Sequence, residues 1–503
     1  MIQTININVS LDYDDSEITR AIKKKYNINI SDYKLITRSL DARKDELKFN
    51  LKLAIDYPKK LKDSGAMPKE YELPKKKCDA NIAIVGAGPA GLFAAHVLSA
   101  CGAKITIYER GSKVEDRVRD VEDFIRSRKL NPDSNISFGE GGAGTFSDGK
   151  LTSRSKDARK EYIKEILFKY GADSEITIMH KPHIGTDILR NIIIKLREDL
   201  KNRGVSINFN TRVDNILIEN GKARGVVISD KTFFHDKIIL ALGNAARDTF
   251  LNFIGEKLDI IPKPYAVGFR IEHLQSYVDR CQFREFAGHR RLLHGEYTLT
   301  AASNNSGVYS FCMCPGGLVV PSSSEINHLS VNGMSYHNRG LKNANSAIVT
   351  TIEKFDDAKS SIEYGREIER RAFEIGGGDY TAPVIHVKDF INRKEANTRG
   401  MVNPSYKMGV RYTKIDDILG ELTDDIRLGL LGMNEKMDGF IDDAVLTAVE
   451  SKTSSPVRIV RDELFMTNYK NLYACGEGAG FAGGIVSAAL DGLKCAESII
   501  GEI

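Results

Sequence analysis

The sequence lacks a strong charge of either sign, has few cysteines for its length and contains no long apolar run free of glycine and proline. Its 503 residues carry a net charge of +4, which is too small to indicate nucleic-acid binding by itself. Hydrophobic residues make up 42% and charged residues 28%, as in ordinary globular proteins, so disordered and collagen-like chains are excluded. At roughly 150 residues per domain, we expect two to four domains.

Seven cysteines are scattered along the chain, an odd number that is typical of free thiols in a reducing compartment. The first residues are polar and then acidic, unlike a secretory leader. Residues 81–103 carry no Asp, Glu, Lys or Arg and are long enough to span a bilayer. Clustered glycine and proline inside this stretch favour a strand, a turn and a helix instead. We therefore expect a cytoplasmic protein without a membrane segment.

Residues 1–77 are predicted to form a module and a linker. Alternation predicts strands in QTININV, KLITRSL and LKFNLKLAID, and SEITRAIKKKYNI is predicted to be a helix. These elements make a small β-α-β-β unit, followed by a proline- and lysine-rich linker. Residues 1–77 hold 17 basic and 12 acidic residues, which is an excess of +5. A solvated basic face is the ordinary interpretation, and delivery of the protein to RNA is the alternative.

A glycine turn follows the first buried strand after the linker. NIAIV at 81–85 is that strand, GAGPAG is the turn, and LFAAHVLSACG is a helix. The first glycine permits a tight bend, the second admits a pyrophosphate, and the third brings helix close to strand. The start of the helix offers free N–H groups to the phosphate. The binding residues predicted here are Gly86, Gly88, Pro89, Ala90 and Gly91.

Glu109 ends the next strand, 18 residues after Gly91, where a carboxylate can accept hydrogen bonds from ribose hydroxyls. Ser112 and Glu115 then stand in the spacing of a capping box, before a charged helix that extends to about Arg128. The glycine turn and this acidic residue together predict dinucleotide binding.

Further glycine segments are predicted to approach the same ligand. GEGGAG at 139–144 is followed by polar residues, so we interpret it as a loop in which Gly141 and Gly142 lie against a flat cofactor; a surface loop is the alternative. Near the C-terminus, Gly476 and Glu477 follow a strand, and Gly484 opens a long helix. A second turn and helix suit a ligand longer than NAD. With Gly243, which ends another buried strand, they predict FAD.

These motifs carry a resemblance to known flavoproteins. The set GAGPAG…YER, ALG and CGEGAG…GG resembles the glutathione-reductase-type FAD flavoprotein superfamily. The longer motifs resemble a bacterial family of uncharacterised FAD-dependent dehydrogenases, over the whole chain. They are FGEGGAGTFSDGKLTSR, KPHIGTD, FCMCPGG, VNGMS, ESKTSSPVRI and YACGEGAGFAGGI.

The resemblance implies roles for individual residues. The glycines of the first turn would hold the pyrophosphate, and Glu109, next to Arg110 of the YER motif, would hold the adenosine ribose. The backbone of Val213 would contact adenine. On the flavin side, Glu477 would hold the ribityl chain, and the turn at Gly484 and Ile485 would face the ring. Glu477 replaces the commoner Asp, which keeps the carboxylate on a longer arm.

The predicted fold is α/β. We expect a Rossmann-like FAD-binding domain made from residues 78–262 and 446–503, an inserted α+β cap domain at 263–445, and the N-terminal β-α-β-β module at 1–77. The cap would close a substrate cavity over the flavin, and the flavin would carry the redox chemistry.

Two cysteines in the predicted cap domain are candidate catalytic residues. VYSFCMC at 308–314 predicts a strand in which Cys312 and Cys314 share one face, with Phe311 and Met313 on the other. A thiolate on a face that meets the flavin would exchange electrons with the ring or steady a substrate. That role needs a positive group, and none is adjacent in sequence. Two small buried hydrophobic residues are the alternative interpretation.

Two other polar stretches are ambiguous. In ESKTSSPVRI, Glu450 and residues 453–455 either face the flavin or make a loop. His180 and His183 have the spacing of metal ligands but no cysteine or acidic cluster beside them, so we predict no metal site. We interpret them as neighbours of a helix cap at residues 186–187.

We therefore predict an FAD-dependent oxidoreductase that transfers a hydride or an electron pair between the flavin and a small-molecule substrate. NAD(P)H is a candidate transient reductant, because no second nucleotide-binding domain is found. Two alternatives stay open: an RNA-associated flavoprotein of the tRNA-modification kind, and a flavin-binding protein without turnover.

Overall fold

The computed structural model describes residues 1–42, 46–153, 155–303, 307–398 and 400–502. The N-terminal part is an antiparallel sheet in the order β1-β3-β2 with one helix against it. Its elements are β1 (Ile2–Val9), α1 (Asp15–Tyr26), β2 (Lys34–Asp41) and β3 (Lys48–Asp56). The side chain of Asp14 caps α1 by accepting from Glu17 N, and apolar residues of α1 and the sheet fill the core between them. The predicted β-α-β-β order is confirmed.

The second part of the chain alternates strands and helices. Its strands are β4 (Asn81–Val85), β5 (Lys104–Tyr108), β6 (Ser206–Asn208), β7 (Asn215–Glu219), β8 (Lys222–Ile228), β9 (Lys231–Phe234) and β10 (Lys237–Leu240). Its helices are α2 (Pro89–Ala100), α3 (Val114–Ser127), α4 (Arg159–Lys169), α5 (Glu175–Ile178), α6 (Thr186–Asn202) and α7 (Arg247–Gly255). Strands β7, β8 and β9 form a separate three-stranded sheet. Its third strand, β9, is not among the strands predicted from the sequence.

A seven-stranded sheet dominates the third part. Its strands and their neighbours are β11 (Ile260–Pro262), β12 (Tyr265–Leu274), β13 (Thr300–Ala301), β14 (Val308–Cys314), β15 (Gly317–Pro321), β16 (Val331–Ser335), β17 (Asn343–Ile352), β18 (Ala382–His386), β19 (Val410–Tyr412) and β20 (Val445–Glu450). The helices are α8 (Gln275–Phe283), α9 (Ala358–Gly376), α10 (Val387–Ile391), α11 (Asp416–Leu419) and α12 (Leu422–Lys436). The order in the large sheet is β13-β14-β17-β12-β20-β18-β19.

The chain then returns to its first large sheet through β21 (Val457–Ile459), β22 (Leu472–Ala474) and α13 (Ile485–Glu502). That sheet is parallel, in the order β22-β10-β4-β5-β6. Its strands are apolar because helices cover both faces. The carboxyl ends of β4, β5, β10 and β22 meet at one edge, where open α/β sheets bind their ligands. The predicted α/β fold with a Rossmann-like part is confirmed.

Three local predictions need correction or extension. The N-cap of α3 is Lys113 and makes no side-chain cap bond; the Ser112 hydroxyl donates to Asp120 and Asn210 instead, so the predicted capping box is wrong. The segment predicted as a linker is docked, since Gly65 exchanges two backbone hydrogen bonds with Thr4. The large sheet also extends past residue 445, because β20 belongs to it.

Candidate functional site

A cavity of about 1450 Å³ lies between the edge of the parallel sheet and the seven-stranded sheet. A site for one small molecule typically occupies about 300–1,000 Å³. The cavity is therefore larger than a site for one such molecule. Its walls come from the turns after β4, β10 and β22, from the 139–149 loop and from β14 and β20.

The first glycine turn separates glycines that the fold needs from one that a ligand needs. A Cβ on Gly86 would lie 2.5 Å from Ala241 O, and one on Gly91 would lie 2.0 Å from Gly86 O. Both positions are closed by the protein's own backbone. A Cβ on Gly88 would meet only the Cα of Gly142, at 3.9 Å. The packing of the protein would therefore tolerate a side chain at position 88. Because glycine has none, the start of α2 is open to the cavity.

The carboxylate of Glu109 joins three segments of this wall. One oxygen accepts from Ala87 N at 2.8 Å, and the other accepts from Gly111 N at 2.9 Å and from Gly139 N at 3.0 Å. These backbone donors fix the carboxylate at the edge of the cavity. The Arg110 guanidinium lies over the ring of Phe138, with 4.2 Å between its carbon and the ring centroid.

The 139–149 loop runs past the first turn towards the C-terminal helix. Gly141 N donates to Ala87 O at 2.8 Å, and a Cβ on Gly144 would lie 2.8 Å from the side chain of Ile485. The fully buried Arg117 holds this region by donating to the carbonyl oxygens of residues 135, 136, 140 and 142. Sequence reasoning missed Arg117, because a charged helix predicts exposed arginines.

The C-terminal turn supplies a buried acid. The Glu477 carboxylate accepts from the side-chain amide of Asn244 at 2.9 Å. Burial raises its pKa to about 7, although the ammonium of Lys263 acts in the opposite direction. The backbone N–H of Gly476 donates to Asp491 at 2.7 Å and so faces away from the cavity. Gly483 has open space where a Cβ would stand, as expected for backbone that faces a ligand.

Most of the predicted cofactor residues line the cavity. Those in the wall are Gly86, Gly88, Pro89, Ala90, Glu109, Arg110, Gly142, Val213, Gly243, Glu477, Gly484 and Ile485. Three predicted residues do not line the cavity: Gly91, Gly141 and Gly476. A Cβ at any of them would clash with a neighbouring atom, so these glycines permit the close packing of the turns. The structure thus gathers residues that are almost 400 positions apart in the sequence.

The side of the cavity formed by the seven-stranded sheet is built around Arg270 of β12. This residue is fully buried, and a Cβ on Gly333 of β16 would lie 1.9 Å from its guanidinium nitrogen. The guanidinium donates to Glu450 at 3.1 Å, to Asn345 at 2.8 Å and to the Cys312 carbonyl at 2.7 Å. Sequence reasoning missed Arg270, which no motif contains.

Strict alternation fails at Cys312. A bulge interrupts β14 between Phe311 and Cys314, and Cys312 has a φ of +47°. Cys312 consequently lines the cavity, whereas Cys314 is fully buried behind it. The extra residue breaks the predicted period of two, so Cys312 lines the cavity and Cys314 does not, while the two cysteine side chains remain hydrogen-bonded to each other.

Two acids of opposite behaviour meet beside Arg270. The hydrogen bond from Cys314 lowers the pKa of the Cys312 thiol to about 5, and the charges of Lys150 and Arg270 act in the same direction. Burial raises the pKa of Glu450 to about 7, and the Cys312 thiolate adds to this rise. Arg270 therefore lies between a thiol whose pKa is lowered and a carboxyl whose pKa is raised.

The stretch that follows Glu450 is only partly in the wall. Lys452 and Thr453 line the cavity, and burial lowers the pKa of Lys452 to about 8. Thr453 donates to Ala266 O, and Ser455 donates to Gly478 O. Ser454 is not in the wall, so only part of this stretch lines the cavity.

The histidine motif lies near a buried ion pair. His183 Nε2 donates to His337 O, 3.0 Å away, and His180 lines the cavity. The N-cap of α6 is Gly185, with no side-chain cap bond, so the predicted cap at residues 186–187 is wrong. Asp148 and Arg339 pair at 2.6 Å in the wall. Within the described ranges, no three His, Cys, Asp or Glu side chains cluster as metal ligands would.

Comparisons with known proteins agree with this geometry. Residues 264–453 match a family model described as FAD-dependent protein, C-terminal domain-like. Residues 84–124 match an NAD(P)-binding Rossmann-like domain, and residues 1–56 match a domain of unknown function. An uncharacterized protein of Clostridium beijerinckii is 41% identical over 98% of both chains.

The solved structures that this chain resembles are distant. CtdE in complex with FAD is 14% identical, with 84% of this chain and 88% of that chain covered and a TM-score of 0.34. Glycine oxidase from Bacillus cereus is 14% identical, with 84% and 96% covered and a TM-score of 0.30. These likenesses are too weak to carry an assignment.

The glycine turns, the edge of the parallel sheet and the matched C-terminal family define an FAD-dependent oxidoreductase, whose cofactor is FAD. The chain belongs to the same family as the clostridial protein, with which it aligns over 98% of its residues. None of its described helices is long and apolar enough to cross a bilayer.

Proposed function

We propose that this enzyme transfers a hydride or an electron pair between FAD and a small-molecule substrate that share the cavity between the two large sheets. The supporting observation is the continuity of one cavity from Gly88 and Glu477 on the parallel-sheet side to Cys312 and Glu450 on the cap side. Its volume exceeds what one ligand of ordinary size needs. The motif set supports a place in the glutathione-reductase-type superfamily.

The residues fit the cofactor in a definite order. The start of α2, bare at Gly88, would receive the pyrophosphate, because the N-terminus of a helix attracts anions. Glu109 and Val213 would hold the adenosine end, with Glu477 at the ribityl chain and Gly484 and Ile485 at the ring. When bound, FAD supplies the two-electron chemistry. The protein would orient the substrate with Cys312, Glu450 and Lys452.

The proposed domains follow this division of labour. Residues 78–262 and 446–503 would form the FAD-binding domain, and residues 263–445 would form the cap over the substrate side. NAD(P)H would visit as a transient reductant. Seven free cysteines, five of them buried, support a reducing, cytoplasmic setting.

The experiment is to purify the protein, identify its bound cofactor by mass and follow flavin absorbance with NADH, NADPH and dithionite under anaerobic conditions. We expect one FAD per chain and bleaching by at least one nicotinamide donor. Protein that stays colourless after FAD is added, with no change in melting temperature, would refute the proposal.

One observation favours a second function. The basic excess of residues 1–77 supports an RNA-associated flavoprotein, in which the module delivers the enzyme to its target. Binding of a transfer-RNA mixture should then weaken steeply with salt, because phosphate contacts release counterions. Absent or salt-insensitive binding would leave the small-molecule enzyme as the function.

A further inference from the structure

Lys150 lies in the cavity wall, on a segment of backbone that its neighbours hold in place. It follows the glycine loop, lines the cavity and is half-buried. On one side of it, Gly149 O accepts from Ile184 N at 3.0 Å, and on the other side Leu151 N donates to Pro182 O at 2.9 Å. Because the backbone is bonded on both sides, the lysine side chain starts from a fixed point in the wall.

The ammonium of Lys150 lies close to two parts of the chain beyond its own loop. Burial raises the pKa of Glu296, but Lys181 and then the charge of Lys150 bring it below its ordinary value. The hydrogen bond from Cys314 lowers the pKa of Cys312, and the charge of Lys150 lowers it further. Lys150 therefore stands between the glycine loop and strand β14 of the seven-stranded sheet.

The charged groups around Lys150 are already paired with one another. The guanidinium of Arg339 donates to both oxygens of Asp148, at 3.0 and 2.6 Å. Glu296 pairs with Lys181 at 2.6 Å. Within the described ranges, no carboxylate lies at ion-pair distance from the ammonium of Lys150. Its charge is therefore not balanced by an ion pair with any residue that the structure describes.

The glycine loop carries Lys150 away from the predicted phosphate site. Gly142 lies beside Gly88 at the first turn, where a Cβ on Gly142 would be 3.3 Å from the Cα of Gly88. Farther along the loop, a Cβ on Gly144 would touch Ile485 of the predicted flavin turn. Lys150 follows both of these contacts in sequence and acts on β14. We therefore assign its charge to the substrate side of the cavity and not to the pyrophosphate.

The chemistry of this position favours a carboxylate. Attraction between opposite charges grows when a ligand displaces water from between them. One ammonium balances the single negative charge of a carboxylate, whereas a phosphate monoester carries about −1.5 to −2. Phosphate groups are typically bound by an arginine fork or by the N–H groups at the start of a helix. The nearby fork of Arg339 is already occupied by Asp148.

We propose that Lys150 binds the carboxylate of the substrate, so that the enzyme acts on a small carboxylate-bearing molecule; this inference rests on the proposed function, which places FAD and the substrate in this cavity. The ammonium donates to a carboxylate oxygen and gains the ion pair that the described residues do not provide. This contact holds the substrate against β14 and orients the rest of the molecule towards the flavin.

The test is to titrate the FAD-loaded protein with sodium acetate, pyruvate and benzoate, and with acetamide, pyruvamide and benzamide. Ionic strength is kept constant, because salt screens charge. Flavin absorbance and melting temperature report binding. We expect at least one carboxylate to bind, and its neutral amide to bind at least about tenfold more weakly, because a hydrogen bond between charged groups is the stronger one.

Two variants of Lys150 and one control identify the binding group. Lys150→Gln should weaken binding of the carboxylate by about tenfold or more, and Lys150→Arg, which keeps the charge, should recover part of the affinity. Without ligand, both should hold FAD and melt as the wild type does. Lys156→Gln is the matched control, because Lys156 is an exposed lysine in the same wall. It should change the affinity by less than about twofold.

Several results would overturn the inference while bound FAD upholds the proposed function. They are a panel in which no carboxylate binds, amides that bind as tightly as the acids, and equal weakening by Lys150→Gln and Lys156→Gln, which would indicate diffuse charge. Inorganic phosphate that binds more tightly than every carboxylate would overturn the assigned class. Loss of FAD from Lys150→Gln alone would place Lys150 at the cofactor and overturn it too. A wild type that does not hold FAD would instead refute the proposed function.

Discussion

At the scale of single residues, the first turn separates fold from function. At Gly86 and Gly91 a side chain would clash with the protein's own backbone. At Gly88 the protein leaves space for a side chain, and a bound pyrophosphate would occupy that space. We expect Gly88→Val to fold normally and to lose FAD. Ligand at a hundredfold excess over its Kd stabilises a fold by about 2.7 kcal/mol, and the variant should not show this gain.

The measurement compares melting temperature and flavin absorbance with and without added FAD. Gly255→Val is the matched control, because Gly255 lies exposed at the end of α7 with open space around it. It should keep FAD. A Gly88→Val protein that retains yellow colour and the FAD-dependent rise in melting temperature would show that no phosphate approaches this position.

A second residue, Glu369 of α9, tests the electrostatics behind the cavity. Burial alone would raise its pKa, but the charges of Arg247 and Lys452 and a hydrogen bond from Ser451 hold it at about 2. Removing one member of a buried ion pair typically costs about 3–5 kcal/mol. We expect Glu369→Gln to lose about 3 kcal/mol of unfolding free energy at pH 7.

The pH dependence has a defined sign. The pKa of Glu369 is lower in the folded protein than its ordinary value of 4.5, so its stabilisation is present above pH 4.5 and is lost as the pH falls towards 2. Urea unfolding of the wild type and of Glu369→Gln should therefore differ most at pH 7, and the difference should shrink as the pH falls from 4.5 towards 2. A constant difference over this range would mean that the charge of Glu369 is not the cause.

At the scale of elements, α2 and α13 pack so closely that their contact positions the predicted phosphate site. A Cβ on Gly492 of α13 would lie 2.0 Å from Ala90 O in the first turn of α2. Overpacking of this kind typically costs about 1–3 kcal/mol. We expect Gly492→Ala to destabilise the protein by that amount and to weaken FAD binding, because the start of α2 must shift.

Thermal unfolding and FAD titration would measure both effects. Gly501→Ala is the control on the same helix, since it has open space around it; alanine there should be neutral or slightly stabilising. If Gly492→Ala loses stability but binds FAD as well as the wild type does, then α2 does not depend on this contact for its position.

The elements also show what a sequence can predict. Strand, turn and helix at 81–100 follow from periodicity and glycine spacing. The bulge at Cys312 could not be predicted, because one extra residue on a strand leaves no compositional signal. Arg270 and Arg117 could not be predicted either, since their partners converge from strands and loops that are distant in sequence.

At the scale of the whole molecule, the N-terminal module is attached by more than a linker. Phe283 of α8 is buried in the core of the module, and Arg38 of β2 pairs with Glu175 of α5 at 2.8 Å. The docked segment that follows contributes Tyr71, whose hydroxyl donates to Glu497 of α13 at 2.5 Å. None of these residues lines the cavity, whose described wall begins at Val85.

Two truncated chains separate the module from the docked segment. A chain that starts at Met67 loses the module but keeps Tyr71, whereas one that starts at Lys77 loses both. We expect both to fold and bind FAD with the affinity of the full chain, because the cavity is intact. The chain that starts at Lys77 should be less stable than the one that starts at Met67 by about 0.5–1.5 kcal/mol, because it lacks the hydrogen bond from Tyr71 to Glu497. FAD titration and thermal unfolding of the three chains would measure this. If the chain from Met67 unfolds or releases FAD, then the module belongs to the core of the enzyme and is not a separate unit.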